Sequence, residues 1–219
     1  MTVDLSDYIN RALEFSTRGP LQQEVRRARE QYFQQSGQLH DDEPSYELRI
    51  EAFSEWYLLD YLRAENRRPP LDTFLAEQRS QLSAEDIAIY EAMRSSRRSL
   101  FEFLKHKKDL LLLRDLQDNK KLLLVEETPL LGIERGQLLD GRLVRFKGML
   151  VIRGSVVIHP ASVRRNILKR IKKLHKQRPQ DFDAFRRALS LARLRCDRYH
   201  NVAAERLYVQ TLGEAGFAD

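Results

Sequence analysis

At Ser99 the hydrophobic pattern of the chain changes period, and this constrains the fold more than any other feature. Before it, apolar residues recur every three or four positions, as on one face of a helix. After it, "LFEFLKHKKDLLLLRDLQDNKKLLLVEE" carries two apolar runs, residues 110–116 and 121–126, on either side of "QDNK". Asp118-Asn119 is turn chemistry, because short polar side chains satisfy the local backbone and tolerate a left-handed conformation. The spacing therefore predicts a hairpin. Gly136, Gly141, Gly148 and Gly154 then punctuate short β-rich segments at residues 143–144, 150–152 and 156–158, and His159-Pro160 ends the stretch. Five or so short strands here predict a small antiparallel barrel or a strongly bent sheet. The expected class is α+β. An N-terminal helical bundle spans residues 1–98, a central small antiparallel β-barrel-like sheet spans 99–160, and basic C-terminal helices at 161–219 pack on the rest.

The helices have their own punctuation. Asp4 or Ser6 caps the first, and Gly19-Pro20 separates it from the second. Leu21, Val25, Ala28 and Tyr32 recur at helical spacing up to a stop at Gly37, and Pro44 and Ser45 open the third helix. That helix, residues 46–62, carries Tyr46, Ile50, Phe53, Tyr57 and Tyr61 as one stripe, widened by Ala52, Trp56 and Leu59. So wide an apolar arc is enclosed by other helices, which predicts a largely buried Trp56. Asp60 falls between Trp56 and Phe53, where a carboxylate needs a hydrogen-bonding or basic partner. No second carboxylate or histidine lies at matching spacing, so Asp60 reads as a structural anchor and not as a catalytic acid. Short helices follow at 71–78 and 84–95, the latter capped by Ser83. Near the C-terminus Phe182, Phe185, Leu189, Ala192, Cys196 and Tyr199 make a one-faced helix, with Cys196 as a small buried hydrophobe.

Catalytic and metal signatures are missing from the sequence. A single cysteine allows no intramolecular disulfide and no cysteine-based zinc cage. None of His40, His106, His159, His175 and His200 forms an H-x-x-x-H pair, and the glycines make neither a P-loop nor a dinucleotide fingerprint. The acids of "DDE" (Asp41, Asp42, Glu43) and "EE" (Glu126, Glu127) read as solvated charge. No apolar run approaches the ~20 residues of a membrane helix, and the N-terminus has no signal-peptide pattern. The expectation is a cytoplasmic, non-enzymatic protein without cofactor or metal.

The segments "EAFSEWYLLDY", "PPLDTFLAEQ", "SRRSLFEFLKHKKDLLLLRDLQDNKKLLLVEE" and "GIERGQLLDGRLVRFKGMLVIRGSVVIHPASVRRNIL" follow one another in order. Together they resemble an uncharacterised bacterial family with an aromatic F-x-x-W helix, a D-L hairpin, a G-x-x-x-x-x-R-L strand and a terminal H-P. Related regions occur beside cysteine-rich SEC-C motifs. The resemblance covers residues 31–169 and implies no activity. Without the cysteines, it implies no zinc-mediated role.

One stretch points to a partner. "VRRNILKRIKKLHKQ", residues 163–177, holds seven Lys or Arg and no acid. On a helical wheel Val163, Ile167, Ile171 and Leu174 fall within about 80° of one another. Arg165, Lys169, Arg170, Lys172, Lys173 and Lys176 spread over about 160° on the other side. Like charges three and four apart destabilise a helix by a few tenths of a kcal/mol per pair unless anions compensate. Three anions could do so: nucleic-acid phosphates, an anionic lipid surface, or the acidic half of the same chain. Residues 1–98 carry 13 basic and 18 acidic side chains, against 25 and 14 in residues 99–219. A lipid surface fits least, since the apolar face has no Trp or Phe to insert. The favoured reading is a non-enzymatic module binding nucleic-acid backbone through these six residues. The alternative is a protein–protein adaptor or assembly factor using the aromatic helices or the stripe from Phe182 to Tyr199.

Overall fold

The computed structural model describes residues 5–19, 21–108, 110–125 and 133–218. Asp4, Pro20, Glu126 and Glu127, which carried expectations above, lie outside these residues. The fold is α+β, with N-terminal helices, a central mixed sheet and C-terminal helices.

The N-terminal helices are α1 (Leu5–Ser16), α2 (Leu21–Ser36), α3 (Tyr46–Leu59), α4 (Pro70–Gln78) and α5 (Ala84–Arg94). They enclose a core of Phe33, Phe53, Tyr57, Leu58, Phe74, Ile89 and Tyr90. Helix α5 starts at a reciprocal cap: the Ser83 hydroxyl accepts from the Asp86 N–H at 3.1 Å, and the Asp86 carboxylate accepts from the Ser83 N–H at 3.0 Å. Helix α3 ends at Leu59, three residues before the expected limit, and Leu62 is exposed. The N–H groups of Asp60 and Tyr61 both turn back to the Trp56 carbonyl there, which closes the helix. Trp56 is half-buried, not enclosed. It packs on Tyr32 and Tyr61, and part of it lines a cavity.

The strands are β1 (Arg97–Lys107), β2 (Leu110–Asp115), β3 (Lys121–Val125), β4 (Leu138–Phe146) and β5 (Met149–Ile158). Strands β2 and β3 form the expected hairpin, pairing Leu111 with Leu124 and Leu113 with Leu122. Asn119 sits in its turn at φ +60, and Asp118 accepts from the Lys120 N–H at 3.0 Å. Lys147 and Gly148, both at positive φ, join β4 to β5 in a two-residue turn. Strand β1 pairs antiparallel with both β2 and β4. The remaining junction corrects the expected small antiparallel barrel. Strands β3 and β5 run parallel and meet at one register pair, Val125 with Val151, so the sheet is mixed and that junction is not a continuous antiparallel ladder. The long connection from β3 to β4 brings β5, and not a neighbour in sequence, alongside β3, and hydrophobic pattern carries no information about that order.

Phe101, Phe103, Leu111, Leu113, Leu124 and Leu139 form the core of the sheet. Leu100 and Leu138 belong instead to a second cluster with the C-terminal helices α6 (Arg164–Gln177), α7 (Phe182–Arg198) and α8 (Ala204–Glu214). His159 follows β5 and is a packing residue, its Nδ1 lying 2.7 Å from the Tyr208 hydroxyl. Among the described residues no helix is long and apolar enough to cross a membrane.

Candidate functional site

Helix α6 is amphipathic as its spacing requires. Ile167, Ile171 and Leu174 are buried against Phe182 and Phe185 of α7. Arg165, Lys169, Lys172, Lys173 and Lys176 are exposed on the opposite side. Arg170 departs from the expectation. It is only 5 % exposed, its Nε donates to Asn166 Oδ1 at 2.6 Å, and its Nη1 donates to the Phe217 carbonyl. The C-terminal segment folds back across α6 at this point, with Arg178 donating to the Gly216 carbonyl at 2.9 Å. A long side chain at the border of the polar arc is captured by that returning backbone, and a helical wheel cannot register the return.

Among the described residues, Arg165, Lys172, Lys173 and Lys176 make no ion pair. Several N-terminal acids are engaged elsewhere: Glu24 with Arg63, Glu43 with Arg49 and Arg198, and Asp60 with Arg142. Asp60 is thus the arginine-tied anchor that the sequence suggests. Of the stripe proposed as an adaptor surface, Phe182, Phe185, Leu189 and Ala192 are buried and Tyr199 is exposed. Cys196 is partly buried beside them, and burial raises its pKa.

A second constellation escapes sequence reasoning. Glu55 and Asp140 are buried where α3, β1, β4, β5 and α7 converge. Arg98 donates to Asp140 at 2.5 Å, to Glu55 at 3.1 Å, and to the Ser155 hydroxyl and carbonyl at 2.8 and 2.6 Å. Arg186 reaches the other Asp140 oxygen at 2.9 Å. Burial alone would raise the Asp140 pKa, but Arg186 and Arg98 overcome it and hold Asp140 below the usual carboxylate range. At Glu55 burial wins over Arg98 and Arg142, and the pKa rises to about 7. Glu55 reaches this place only because residue 154 is glycine: at φ +70, a side-chain Cβ there would overlap the Glu55 carboxylate. In sequence, Glu55 looks like solvated charge, two positions from Phe53 and off the aromatic stripe. The one available signal was Gly154 inside a strand pattern, a mark of close approach.

The described residues contain no group of three or more His, Cys, Asp or Glu placed to hold a metal ion. In chemical terms, α6 offers an open row of cations, whereas the Glu55–Arg98–Asp140 cluster is internally paired.

In a comparison with known families, residues 28–195 match the family of unknown function DUF7986. No curated protein and no solved structure matches the chain.

Proposed function

The chain belongs to the family of unknown function DUF7986, and from its own geometry we propose that it is a non-enzymatic module that binds nucleic-acid backbone through the open face of α6. The observation that carries this reading is five exposed cations on one helix, of which Arg165, Lys172, Lys173 and Lys176 have no ion-pair partner among the described residues. From Arg165 to Lys176 the row is about 16 Å long at the rise of an α-helix. Duplex DNA presents about ten phosphate charges over that length, enough to engage every cation. Phe101 and Phe103 are core residues and Phe146 is half-buried, so the reading is limited to phosphates without base recognition. A cytoplasmic setting accords with a single, partly buried cysteine. The adaptor reading keeps the aromatic helices and, on the α7 stripe, the exposed Tyr199.

The test is salt dependence. With about four phosphates neutralised, log K falls against log salt with a slope of about −3.6. Affinity then drops about a hundredfold between about 50 and 200 mM salt. Replacing Lys169, Lys172, Lys173 and Lys176 with Gln weakens binding equally across DNA sequences and flattens the slope. Absence of binding to DNA and RNA at low salt refutes the proposal, and a concentration-dependent dimer without nucleic-acid affinity favours the adaptor.

A further inference from the structure

Helices α2, α3 and α7 and strand β5 enclose a cavity of about 300 Å³. Part of its wall is aromatic and aliphatic, including Tyr32, Leu48, Trp56 and Ile158. The rest is dominated by arginine. Arg49, Arg98, Arg142, Arg186, Arg187 and Arg193 line it, against only two carboxylates, Asp60 and Asp197.

Five of these arginines have counterions among the described residues. Asp140 serves both Arg98 and Arg186, Glu55 also serves Arg98 and Asp183 also serves Arg186, and Glu43 serves both Arg49 and Arg198. Asp60 serves Arg142, and Asp197 serves Arg193. The Nε–H groups of Arg142 and Arg186 are buried without a hydrogen bond among the described residues, each with a carboxylate in ion-pair range, Glu55 at 3.9 Å and Asp183 at 3.6 Å. The Arg142 side chain is 3 % exposed and that of Arg186 11 %. Arg187 is half-buried and makes no hydrogen bond or ion pair among the described residues. Burial, then the neighbouring Arg186 charge, lowers its pKa against the opposing pull of Asp183 and Asp60. A guanidinium held in an apolar recess beside other cations is stabilised by an anion that enters with it.

We propose that this cavity binds a small organic anion: a flat apolar body bearing one carboxylate or phosphate group. The anionic group lies on Arg187, whose planar fork suits either oxyanion. The body lies against Trp56 and Tyr32, which give rigid apolar area. The volume is at the lower end for ligand pockets, which limits the body to about one ring system. The site is distinct from the α6 face and independent of it.

Trp56 is the only tryptophan in the chain, so its emission reports on the cavity directly. The probes are benzoate and phenyl phosphate, with benzamide as the uncharged counterpart. At least one anion saturates with a Kd tighter than about 1 mM and changes Trp56 emission, while benzamide binds at least about tenfold more weakly. Benzoate alone, phenyl phosphate alone, or both responding identifies the head group. Arg187→Gln, which removes no described contact, leaves the melting temperature of the free protein in place and weakens the anion by about tenfold or more. The four-lysine Gln variant of α6 binds the anion as the parent does. Three results overturn the proposal: no saturable binding of either anion, an equal response to benzamide, or Arg187→Gln binding as tightly as the parent.

Discussion

Gly154→Ala tests whether the buried charge cluster depends on one missing side chain. Two costs add. The residue sits at φ +70, and holding an alanine in the left-handed region costs about 1–2 kcal/mol. The added Cβ also displaces the Glu55 carboxylate from its place beside Arg98 and Arg142. Breaking a buried pair costs about 3–5 kcal/mol. The lower figure applies here, because a pKa of about 7 leaves Glu55 partly protonated at neutral pH. The expected loss is therefore about 4–5 kcal/mol, a large share of the about 5–15 kcal/mol that holds a domain together. In a Glu55→Ala background the overlap is gone, and Gly154→Ala should cost only the backbone term of about 1–2 kcal/mol. Urea unfolding of the parent, both single variants and the double variant gives the coupling, expected at about 3 kcal/mol. If Gly154→Ala costs the same in both backgrounds, glycine is needed for backbone conformation alone and the steric argument fails.

Two further outcomes follow from buried polar groups. His159 is held at about 4, against its ordinary 6.5, by burial. A depressed histidine gives stability that is fully present above about 6.5 and is lost as pH falls through about 4, because only the unfolded chain takes up the proton. The loss is about 3 kcal/mol. Glu55, raised by burial to about 7, has the opposite sign: its protonation favours the folded chain as pH falls from about 7 toward 4.5. Relative to the parent, His159→Gln should therefore become more stable with falling pH across that window, and Glu55→Gln less stable, by chemical denaturation at a series of pH values. Parallel pH profiles for parent and variants would contradict both assignments. Arg170→Met should cost about 1–3 kcal/mol by leaving the Phe217 carbonyl unpaired, yet leave the salt slope of nucleic-acid binding unchanged. A flattened slope would return Arg170 to the binding face.

Local chemistry made several features legible in sequence. The change of period at Ser99 marks where α5 gives way to β1, which begins at Arg97. Asn119 takes the left-handed conformation for which short polar side chains are suited. Ser83 and Asp86 form their cap from a spacing of three residues, and α6 shows its apolar and cationic sides in its own order of residues. Each of these is decided within one or two turns of chain, where side chains of neighbouring positions meet whatever else the protein does.

Contacts between distant segments decided the rest. Glu55 is buried because β5 passes over it at Gly154. Asp140 is satisfied by Arg98 from β1 and Arg186 from α7. Arg170 leaves the cationic face because the chain returns at Phe217, and Trp56 stays half-open because α2, α3 and α7 leave a cavity between them. The parallel meeting of β3 and β5 belongs to the same class. Periodicity along the chain reports which side of an element is apolar, but not which element will cover that side. For a charged residue the identity of the covering element is the whole question, since its burial is tolerable only when a partner arrives from elsewhere in the chain.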